Sequence, residues 1–412
     1  MMTHLHNALN TNKSFGFMLF LGAVSALFFS AFIYLEHYFM SAKILNTLFG
    51  LLAIALLLYI PKKAVMSAGF FIGLAWFYWI GYSFEYQGVG YMTPLVTFGF
   101  AIVYMLFFGV LALTQKAYIR ALLLFTLTFV APFNFNWMQI ELLFVDSYIG
   151  VYKYQFILVL LALSLPAYMK NSLRYTPLAL LIFALNFSYP QQEDAPLKIK
   201  LVETKVLQED KWERENLNAT IMMALSHIQS AIDDGYDVVV LPESVFPLYM
   251  NKAPKLLEAL LELSHSISIV TGTLLHEEKN NFNVTYLLSD GKYQIAKKMV
   301  LVPFGEYIPL PNFAKQFIND TFFAGASDFT GADAPTDFLI KGVTFRNAVC
   351  YEATCAELYD SKVKYMIAIS NNAWFTPSIE PTLQKLLMRY YARKNGVTIY
   401  HSANSSGTGV VK

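Results

Sequence analysis

The hydropathy of the chain changes abruptly near residue 190. Residues 15–190 consist largely of long apolar runs, whereas residues 197–412 alternate short apolar and polar segments. Over the whole chain 56% of the residues are hydrophobic and 14% are charged, whereas typical soluble domains have about 45–50% and about 25%. An apolar helix of about 20 residues crosses the roughly 30 Å hydrocarbon core of a bilayer. Residues 1–190 are therefore predicted to form a membrane domain.

We expect about seven transmembrane helices in this domain. Their approximate ranges are 15–35, 44–60, 64–84, 89–114, 118–137, 154–169 and 175–190. The first run is longer than the apolar region of a cleavable signal peptide, and further spans follow it, so it belongs to the predicted bundle. The spans carry essentially no Asp, Glu, Lys or Arg. Intramembrane charges mark ion paths and proton relays, so their near absence disfavours a transporter.

The charges of the connecting loops predict the orientation of the bundle. The second, fourth and sixth loops carry the basic residues Lys62, Lys63, Lys116, Arg120, Lys170 and Arg174. The third and fifth loops carry the acidic residues Glu85, Glu141 and Asp146 and a single basic residue, Lys153. Because basic residues concentrate on the cytoplasmic side, the even loops and the N-terminus are predicted to be inside. Seven crossings then place residue 191 and all that follows outside, in a periplasmic or other extracytoplasmic compartment.

The second part of the chain is predicted to be an α/β domain. Residues 191–196 lie in the polar segment "YPQQEDAP" and form the expected linker, and residues 197–412 form the domain. Strand-like runs such as "YDVVVLPES" and "KYMIAIS" alternate with helical ones such as "PTLQKLLMRYYAR". The segment "DFLIKGVTFRNAV" is typical of a hairpin that turns at Gly342. Strands that alternate with helices indicate α/β architecture.

Three predicted strands end in residues that could carry chemistry. They are Glu243 in "VVVLPESVFP", Lys298 in "YQIAKKMVLVPFGE" and Cys350 in "VTFRNAVCYE". Each alone has an ordinary interpretation, since such a glutamate is usually solvated, such a lysine is usually a surface charge, and free cysteine is often buried in a core. Function in α/β folds, however, tends to lie beyond the carboxyl ends of strands. A carboxylate that takes a thiol proton and an ammonium group that stabilises an oxyanion would together support covalent acyl transfer.

The composition sets limits on other functions. Cys350 and Cys355 are the only two cysteines and cannot form a disulfide framework. Because the chain has no Cys/His ligand cluster, we expect no metal and no organic cofactor. The net charge of +1 gives no indication of a nucleic-acid partner, and none is expected.

The order Glu–Lys–Cys at these strand ends resembles the nitrilase superfamily of carbon–nitrogen hydrolases. The segments "KMVLVPFGEYIP", "CYE", "SDFTGAD", "SNNAWF" and "HSANSSGTGV", behind a multi-span region, are similar to those of the bacterial apolipoprotein N-acyltransferase family. The resemblance covers nearly the whole chain and is most specific from about residue 236 to 409. It implies an αββα sandwich for the second domain.

The resemblance also implies roles for particular residues. Cys350 would be the nucleophile, Glu243 the general base and Lys298 the group that stabilises the oxyanion. Lys298 rather than Lys297 matches, because it lies eight residues before Glu306. Further residues match acidic positions that support the site or positions that line the pocket, namely Glu306, Glu352, Tyr351, Asn283 and Trp374. For Trp374 ordinary core packing is nearly as good an interpretation, and Cys355 is expected to be structural.

The function implied is acyl transfer at the bacterial inner membrane. The acyl donor would be a phospholipid, with phosphatidylethanolamine expected, and the acceptor the α-amine of the diacylglyceryl-cysteine of an apolipoprotein. A Cys350 thioester would link the two steps. A membrane-anchored amidase of the nitrilase type, which passes the acyl group to water, would use the same three residues. A non-enzymatic membrane protein with an extracytoplasmic binding domain is a third interpretation.

Two features of the C-terminal part lead to further expectations. Residues 303–331 have no clear strand, and long loops in compact domains are often lids. The apolar residues of this predicted lid are suited to contact with a membrane surface; they are Phe313, Phe317, Phe322 and Phe323. Members of the family continue past "GTGVVK" with a further strand and an eighth span. Either this lineage is shorter or the sequence is truncated.

Overall fold

The computed structural model describes residues 14–39, 42–86, 88–187, 189–303, 305–307, 329–359 and 363–412. The chain divides into two compact units. The first comprises Met1–Pro132 and Asn136–Tyr189. The second comprises Phe133–Phe135 and Pro190–Lys412. The four phenylalanines of the predicted lid lie outside the described residues.

The first unit is helical. Its α-helices are α1 (Phe15–Tyr38), α2 (Lys43–Tyr59), α3 (Lys62–Phe77), α4 (Thr93–Gly109), α5 (Ala117–Leu127), α6 (Lys153–Ser164) and α7 (Leu180–Ala184). Within the described residues three helical stretches are long and apolar enough to cross a membrane, Phe15–Tyr38, Lys62–Phe84 and Gly90–Leu113. Shorter apolar helices occupy Lys43–Tyr59, Ala117–Leu127, Lys153–Ala167 and Leu173–Ala184. The number of crossings stays a prediction.

The helix expected over residues 118–137 ends early, at Leu127. Pro132 follows, and both Phe133 and Asn134 have positive φ angles, of 56° and 60°. Residues with positive φ cannot continue a right-handed helix. The segment Phe133–Phe135 consequently leaves the helical path, and it belongs to the second compact unit.

Arg120 is a buried basic residue of the helical unit that donates to carbonyl groups of two other segments. Its guanidinium is almost fully buried. Nη1 donates to the carbonyl of Ile60 at 2.6 Å, and Nε donates to the carbonyl of Leu111 at 3.0 Å. The last carbonyl groups of a helix have no partner within the helix. Arg120 therefore joins the end of α2 to α5 by supplying donors to such carbonyls.

The second unit contains two five-stranded sheets. The strands are β1 (Ile199–Leu201), β2 (Val238–Val240), β3 (Ser268–Glu277), β4 (Asn280–Ser289), β5 (Lys292–Lys297), β6 (Asp337–Ile340), β7 (Val343–Val349), β8 (Tyr365–Asn371), β9 (Thr398–Asn404) and β10 (Gly409–Val411). The sheets have the orders β1-β2-β3-β4-β5 and β10-β9-β8-β7-β6. In the first sheet β1, β2 and β3 are parallel, and the β3–β4 and β4–β5 pairings are antiparallel. In the second sheet β7, β8 and β9 are parallel, and both edge pairings are antiparallel. The helices are α8 (Gln208–Lys211), α9 (Arg214–Asp233), α10 (Pro254–Leu263) and α11 (Glu380–Asn395).

Alternation along the strands builds two apolar layers. Val238 and Val240 belong to the cluster that also holds Phe345 of the other sheet, so they fill the space between the sheets. Val239 belongs instead to the cluster that contains Ile228 of α9. Successive side chains of a strand point to opposite faces, which explains the division. Since α11 packs against β9 and β10, helices cover both outer faces, and the predicted αββα sandwich is confirmed.

The predicted hairpin at Gly342 is also confirmed. β6 and β7 form an antiparallel pair, and Ile340 lies opposite Val343 next to the turn. Lys341 and Gly342 lie between them with φ angles of 46° and 81°. Two-residue hairpin turns with positive φ at both positions match the twist of the flanking strands. The hairpin sets the direction of β7, which leads to Cys350.

Candidate active site

Three chain segments bring the predicted catalytic residues to one place. Glu243 follows β2, Lys298 follows β5 directly, and Cys350 follows β7 directly. Two of these turns contain a residue in the left-handed region, Ser244 with φ 48° and Cys350 with φ 56°. Strained backbone of this kind is often found at functional sites. Both turns redirect the chain sharply where a strand ends.

Gly272 of β3 permits the turn at Glu243. A Cβ atom on Gly272 would lie 2.5 Å from the backbone nitrogen of Ser244 and 2.6 Å from Cα of Glu243. Such distances are far below van der Waals contact. Only glycine therefore allows the turn after β2 to lie this close to β3.

The carboxylate of Glu243 is held at both oxygens. Oε1 accepts from the Asn283 side-chain amide at 2.7 Å, and Oε2 accepts from the backbone N–H of Asn371 at 2.8 Å. Glu243 is buried. Two donors on a buried carboxylate fix its orientation. Glu243 is thus held in one position beside the predicted nucleophile.

Lys298 and Glu306 form a buried ion pair. Nζ of Lys298 lies 2.7 Å from Oε2 of Glu306, and the side chains are 1% and 12% exposed. Burial opposes the charge of Lys298, but the Glu306 carboxylate, followed by Glu243 and Cys350, outweighs burial and raises its pKa above the ordinary value. Lys298 is a permanent cation in this setting. Lys297 faces away, where it pairs with Glu277 at 2.5 Å and is partly exposed.

Asn283 links Glu243 to this ion pair. The same amide nitrogen that donates to Glu243 also lies 3.2 Å from Oε1 of Glu306. The backbone carbonyl of Asn283 accepts from the N–H of Lys298 at 2.9 Å. One residue of β4 therefore positions Glu243, Glu306 and Lys298 relative to one another.

Cys350 is half-buried at the start of a short 3-10 helix, Cys350–Thr354. Burial, followed by the charge of Glu243, raises the pKa of its thiol well above the usual value, and Lys298 opposes the increase. The resting residue is consequently a thiol. A base must remove its proton before sulfur can attack, because the thiolate is the nucleophile.

Glu352 ties the end of β7 to the segment after Lys298. Its Oε1 accepts from the N–H of Val349 at 2.7 Å, and Oε2 accepts from Met299 at 2.9 Å and from Val300 at 3.2 Å. Burial raises the pKa of this carboxyl to about 7, although Lys298 and the three backbone donors lower it. Glu352 holds together the two segments that present Cys350 and Lys298.

The remaining predicted residues occupy different surroundings. The ring of Tyr351 stacks on Phe135 with 5.7 Å between ring centroids, and its hydroxyl donates to the carbonyl of Asn134 at 3.3 Å. Trp374 is partly buried in a 3-10 turn after β8. Cys355 is buried, and its Sγ donates to the carbonyl of Tyr351 at 3.4 Å. This contact agrees with the structural role expected for Cys355.

Three further residues near the site have no obvious signal in the sequence. Lys211 is 2% exposed, and its Nζ donates to the backbone carbonyl of Glu243 at 3.0 Å. Burial lowers its pKa to about 8, against the opposing influence of Glu243 and Cys350. Gln384 and Glu380, on the first turns of α11, are buried too. Lys211 lies in a charged segment whose sequence is typical of a solvated surface. The sequence of α11 is typical of an ordinary amphipathic helix, so neither segment indicates a site residue.

The site has the components for acyl transfer through a thioester. It combines a held carboxylate, a buried ammonium group and a thiol, without a candidate metal cluster among the residues that the structure describes. An αββα sandwich with this arrangement defines a domain of the carbon–nitrogen hydrolase class.

Comparisons with known proteins agree with this class and extend it. The carbon–nitrogen hydrolase family model matches residues 207–405, and the model for the apolipoprotein N-acyltransferase integral membrane domain matches residues 17–187. The chain belongs to the apolipoprotein N-acyltransferase family. It is an enzyme with an N-terminal helical membrane domain, so the predicted family and fold class are confirmed.

Several relatives resemble the chain over almost its full length. An apolipoprotein N-acyltransferase of Wolinella succinogenes is 42% identical, over 97% of this chain and 96% of the relative. Those of Helicobacter hepaticus and Helicobacter pylori are 38% and 37% identical over 90% and 88% of this chain, covering 94% and 86% of the relatives. Among solved structures, a CN-hydrolase superfamily protein from Xanthomonas campestris covers 51% of this chain and 76% of its own, with 16% identity and a TM-score of 0.39. The family assignment rests on the sequence relatives.

Proposed function

We propose that this enzyme moves an acyl chain from a phospholipid to the α-amine of the N-terminal diacylglyceryl-cysteine of an apolipoprotein. The observation that carries the proposal is the arrangement of Glu243, Lys298 and Cys350 at three strand ends in a member of this family. Phosphatidylethanolamine is the expected donor. The expected setting is the bacterial inner membrane, with residues 1–190 in the bilayer, residues 191–196 as linker and residues 197–412 on the periplasmic side.

In the first half-reaction Cys350 attacks the ester carbonyl of the phospholipid. Glu243 takes the thiol proton as the S–C bond forms, and the carbonyl oxygen becomes an oxyanion. The ammonium group of Lys298 stabilises that oxyanion. The C–O bond then breaks, and the proton returns from Glu243 to the leaving alkoxide. The products are a lysophospholipid and a thioester on Cys350.

In the second half-reaction the free amine of the apolipoprotein attacks the thioester. Glu243 removes a proton from the nitrogen, and Lys298 again stabilises the oxyanion. The C–S bond breaks as the amide forms, and the Cys350 sulfur regains its proton from Glu243. The cycle is balanced without an added oxidant, reductant or cofactor.

The surrounding groups support these roles. The pKa of the Cys350 thiol is raised by burial and by Glu243, so the thiol stays protonated until substrate arrives and the base acts. Glu306 holds Lys298 at 2.7 Å, and Asn283 holds Glu243 at 2.7 Å. We assign Glu306 and Asn283 as positioning residues for the cation and the base. Glu352 positions the turn that presents Cys350.

The test is the intact mass of the purified full-length protein after incubation with phosphatidylethanolamine. We expect a mass increase of one acyl chain on Cys350, stable in water and discharged by a diacylated lipopeptide. Cys350→Ala should acquire no adduct, whereas the matched control Cys355→Ala should acquire it normally. An adduct lost quickly to water without lipopeptide would instead assign an amidase-like hydrolase. Acylation of Cys350→Ala would refute the mechanism.

A further inference from the structure

Gln384 is the side-chain amide that faces the nucleophile from α11. It is fully buried, and its Nε2 lies 3.8 Å from Sγ of Cys350. Sulfur is larger than oxygen, and contacts to it are correspondingly longer. The geometry is that of an N–H group directed at the thiol sulfur.

A second amide fixes the orientation of Gln384. Nδ2 of Asn372 donates to Oε1 of Gln384 at 3.2 Å and to the carbonyl of Ser406 at 2.9 Å. A primary amide can present either its oxygen or its nitrogen to a neighbour. Because Asn372 occupies the oxygen of Gln384, the NH₂ end is the one left to face Cys350.

We propose that Gln384 is a further catalytic residue, whose amide N–H stabilises the Cys350 thiolate when it forms and again when it leaves the thioester. A hydrogen bond to the charged form of a group favours that form. The proton still goes to Glu243, and Gln384 transfers none. The role in the second half-reaction rests on the proposed acyl transfer.

The charges around Cys350 explain why a neutral donor matters here. The ionisable groups that act on or beside the thiol are Glu243, Glu306, Glu380, Lys298 and Lys211. The three carboxyl groups raise the pKa of Cys350, whereas Lys298 lowers it. The ammonium group of Lys298 is also paired with the Glu306 carboxylate, at 2.7 Å. An oriented amide adds stabilisation of the thiolate without adding another charge to a buried site.

The experiment is the rate of alkylation of Cys350 by iodoacetamide as a function of pH, in the detergent-solubilised full-length protein. Only the thiolate attacks iodoacetamide, forming an S–C bond and displacing iodide, so the rate reports the fraction of Cys350 that is ionised. Mass spectrometry of the peptide that contains Cys350 separates it from Cys355. The variants are Gln384→Leu, which removes the donor, and Gln384→Glu, which replaces it with an acid. Met388→Leu, a fully buried position one turn further along α11, is the matched control.

We expect the pH midpoint of Gln384→Leu to rise by about one unit, so that alkylation at a fixed pH below the midpoint slows about tenfold. Gln384→Glu should slow it further, and Met388→Leu should match the wild type. Asn372→Ala allows the side-chain amide of Gln384 to rotate, so its alkylation rate should lie between those of the wild type and Gln384→Leu. This variant tests the proposal if Gln384→Leu does not fold. An unchanged rate in the folded Gln384 variants, or an equal loss in Met388→Leu, would overturn the proposal.

The readout also separates this inference from the proposed function. Alkylation requires neither phospholipid nor apolipoprotein. The wild-type protein could form no acyl adduct while Gln384→Leu still raises the pH midpoint of alkylation. That result would refute the acyl transfer but not the interaction between Gln384 and the thiolate. An acyl adduct without any alkylation shift would refute only the role of Gln384.

Discussion

The side-chain amide of Asn283 donates to Glu243 Oε1 at 2.7 Å and lies 3.2 Å from Glu306 Oε1. Two carboxylates that would otherwise repel each other are thus joined through one neutral donor. Lys298 sits against the second carboxylate at 2.7 Å. Glu243 and Lys298, the proposed base and the proposed oxyanion-stabilising cation, therefore belong to one connected network, and a change at its centre should affect both.

Replacement of Asn283 by aspartate should damage catalysis more than binding. Asn283→Asp keeps the shape but exchanges the shared donor for a third carboxylate. Hydrogen bonds to charged groups contribute about 1.5–3 kcal/mol, so kcat should fall on the order of a hundredfold while KM changes little. Steady-state transfer to a diacylated lipopeptide measures both. Asn280→Asp, at the exposed start of the same strand, should leave both parameters near the wild-type values.

Lys298 and Lys297 offer a matched pair for a stability test. Lys298→Met leaves Glu306 buried without its cation, which typically costs about 3–5 kcal/mol. Lys297→Met removes a partly exposed pair with Glu277, and such pairs contribute about 0–1 kcal/mol. Thermal unfolding in detergent should show a large decrease for the first variant and a small one for the second. Equal decreases would contradict the assignment of Lys298 to the buried network.

Gly272→Ala should displace Glu243, the proposed base. The new methyl group would lie 2.5 Å from the nitrogen of Ser244 and 2.6 Å from Cα of Glu243, so the turn must move. Overpacking of this kind costs about 1–3 kcal/mol, and misplacement by about 1 Å can reduce the rate by about 10²-fold. We expect kcat to fall at least tenfold in a protein that still folds. Gly99→Ala, where a methyl group meets nothing within 4 Å, is the control and should retain full activity.

Glu352 should make stability depend on pH between about 4.5 and about 7. Burial raises the pKa of its carboxyl from 4.5 to about 7 in the folded protein. The folded state therefore binds the proton more tightly than the unfolded state. Its contribution to stability is fully present below pH 4.5 and is lost as the pH rises through about 7. The total loss is on the order of 3 kcal/mol.

The measurement is the unfolding midpoint of the wild type and of Glu352→Gln across this pH range. Glu352→Gln cannot titrate at this position, so its midpoint should fall less steeply with pH than that of the wild type. Glu380, whose pKa is also raised by burial and by Glu243, contributes with the same sign in both proteins and cancels in the difference. Parallel pH curves for the two proteins would contradict the role given to Glu352.

Much of the fold of the second unit follows from local pattern. The apolar run in "YDVVVLPES" predicted a strand, and the structure has β2 there with all three valines buried. The pair Lys341–Gly342 between two apolar runs marked the hairpin, and the structure has it. Such features depend on neighbours a few residues away, so the sequence suffices to predict them.

The helical unit shows the limit of that reasoning. Apolar composition predicted a continuous span over residues 118–137, but the helix ends at Leu127. Hydropathy reports preference for an apolar environment and does not record where the backbone turns. Phe133 and Asn134 have positive φ angles, and their segment contacts Tyr351 of the second unit through Asn134 and Phe135.

The sequence by itself determined the hydropathy of the two parts, the strand and helix pattern of the second, and the three strand ends that carry Glu243, Lys298 and Cys350. Only the tertiary structure decided which groups surround them. Lys211 and Gln384 lie 32 residues before Glu243 and 34 residues after Cys350 along the chain, yet they contact these residues at 3.0 Å and 3.8 Å. The physical reason is that burial and pairing are properties of a packed neighbourhood, which forms only when two sheets and their covering helices have closed around it.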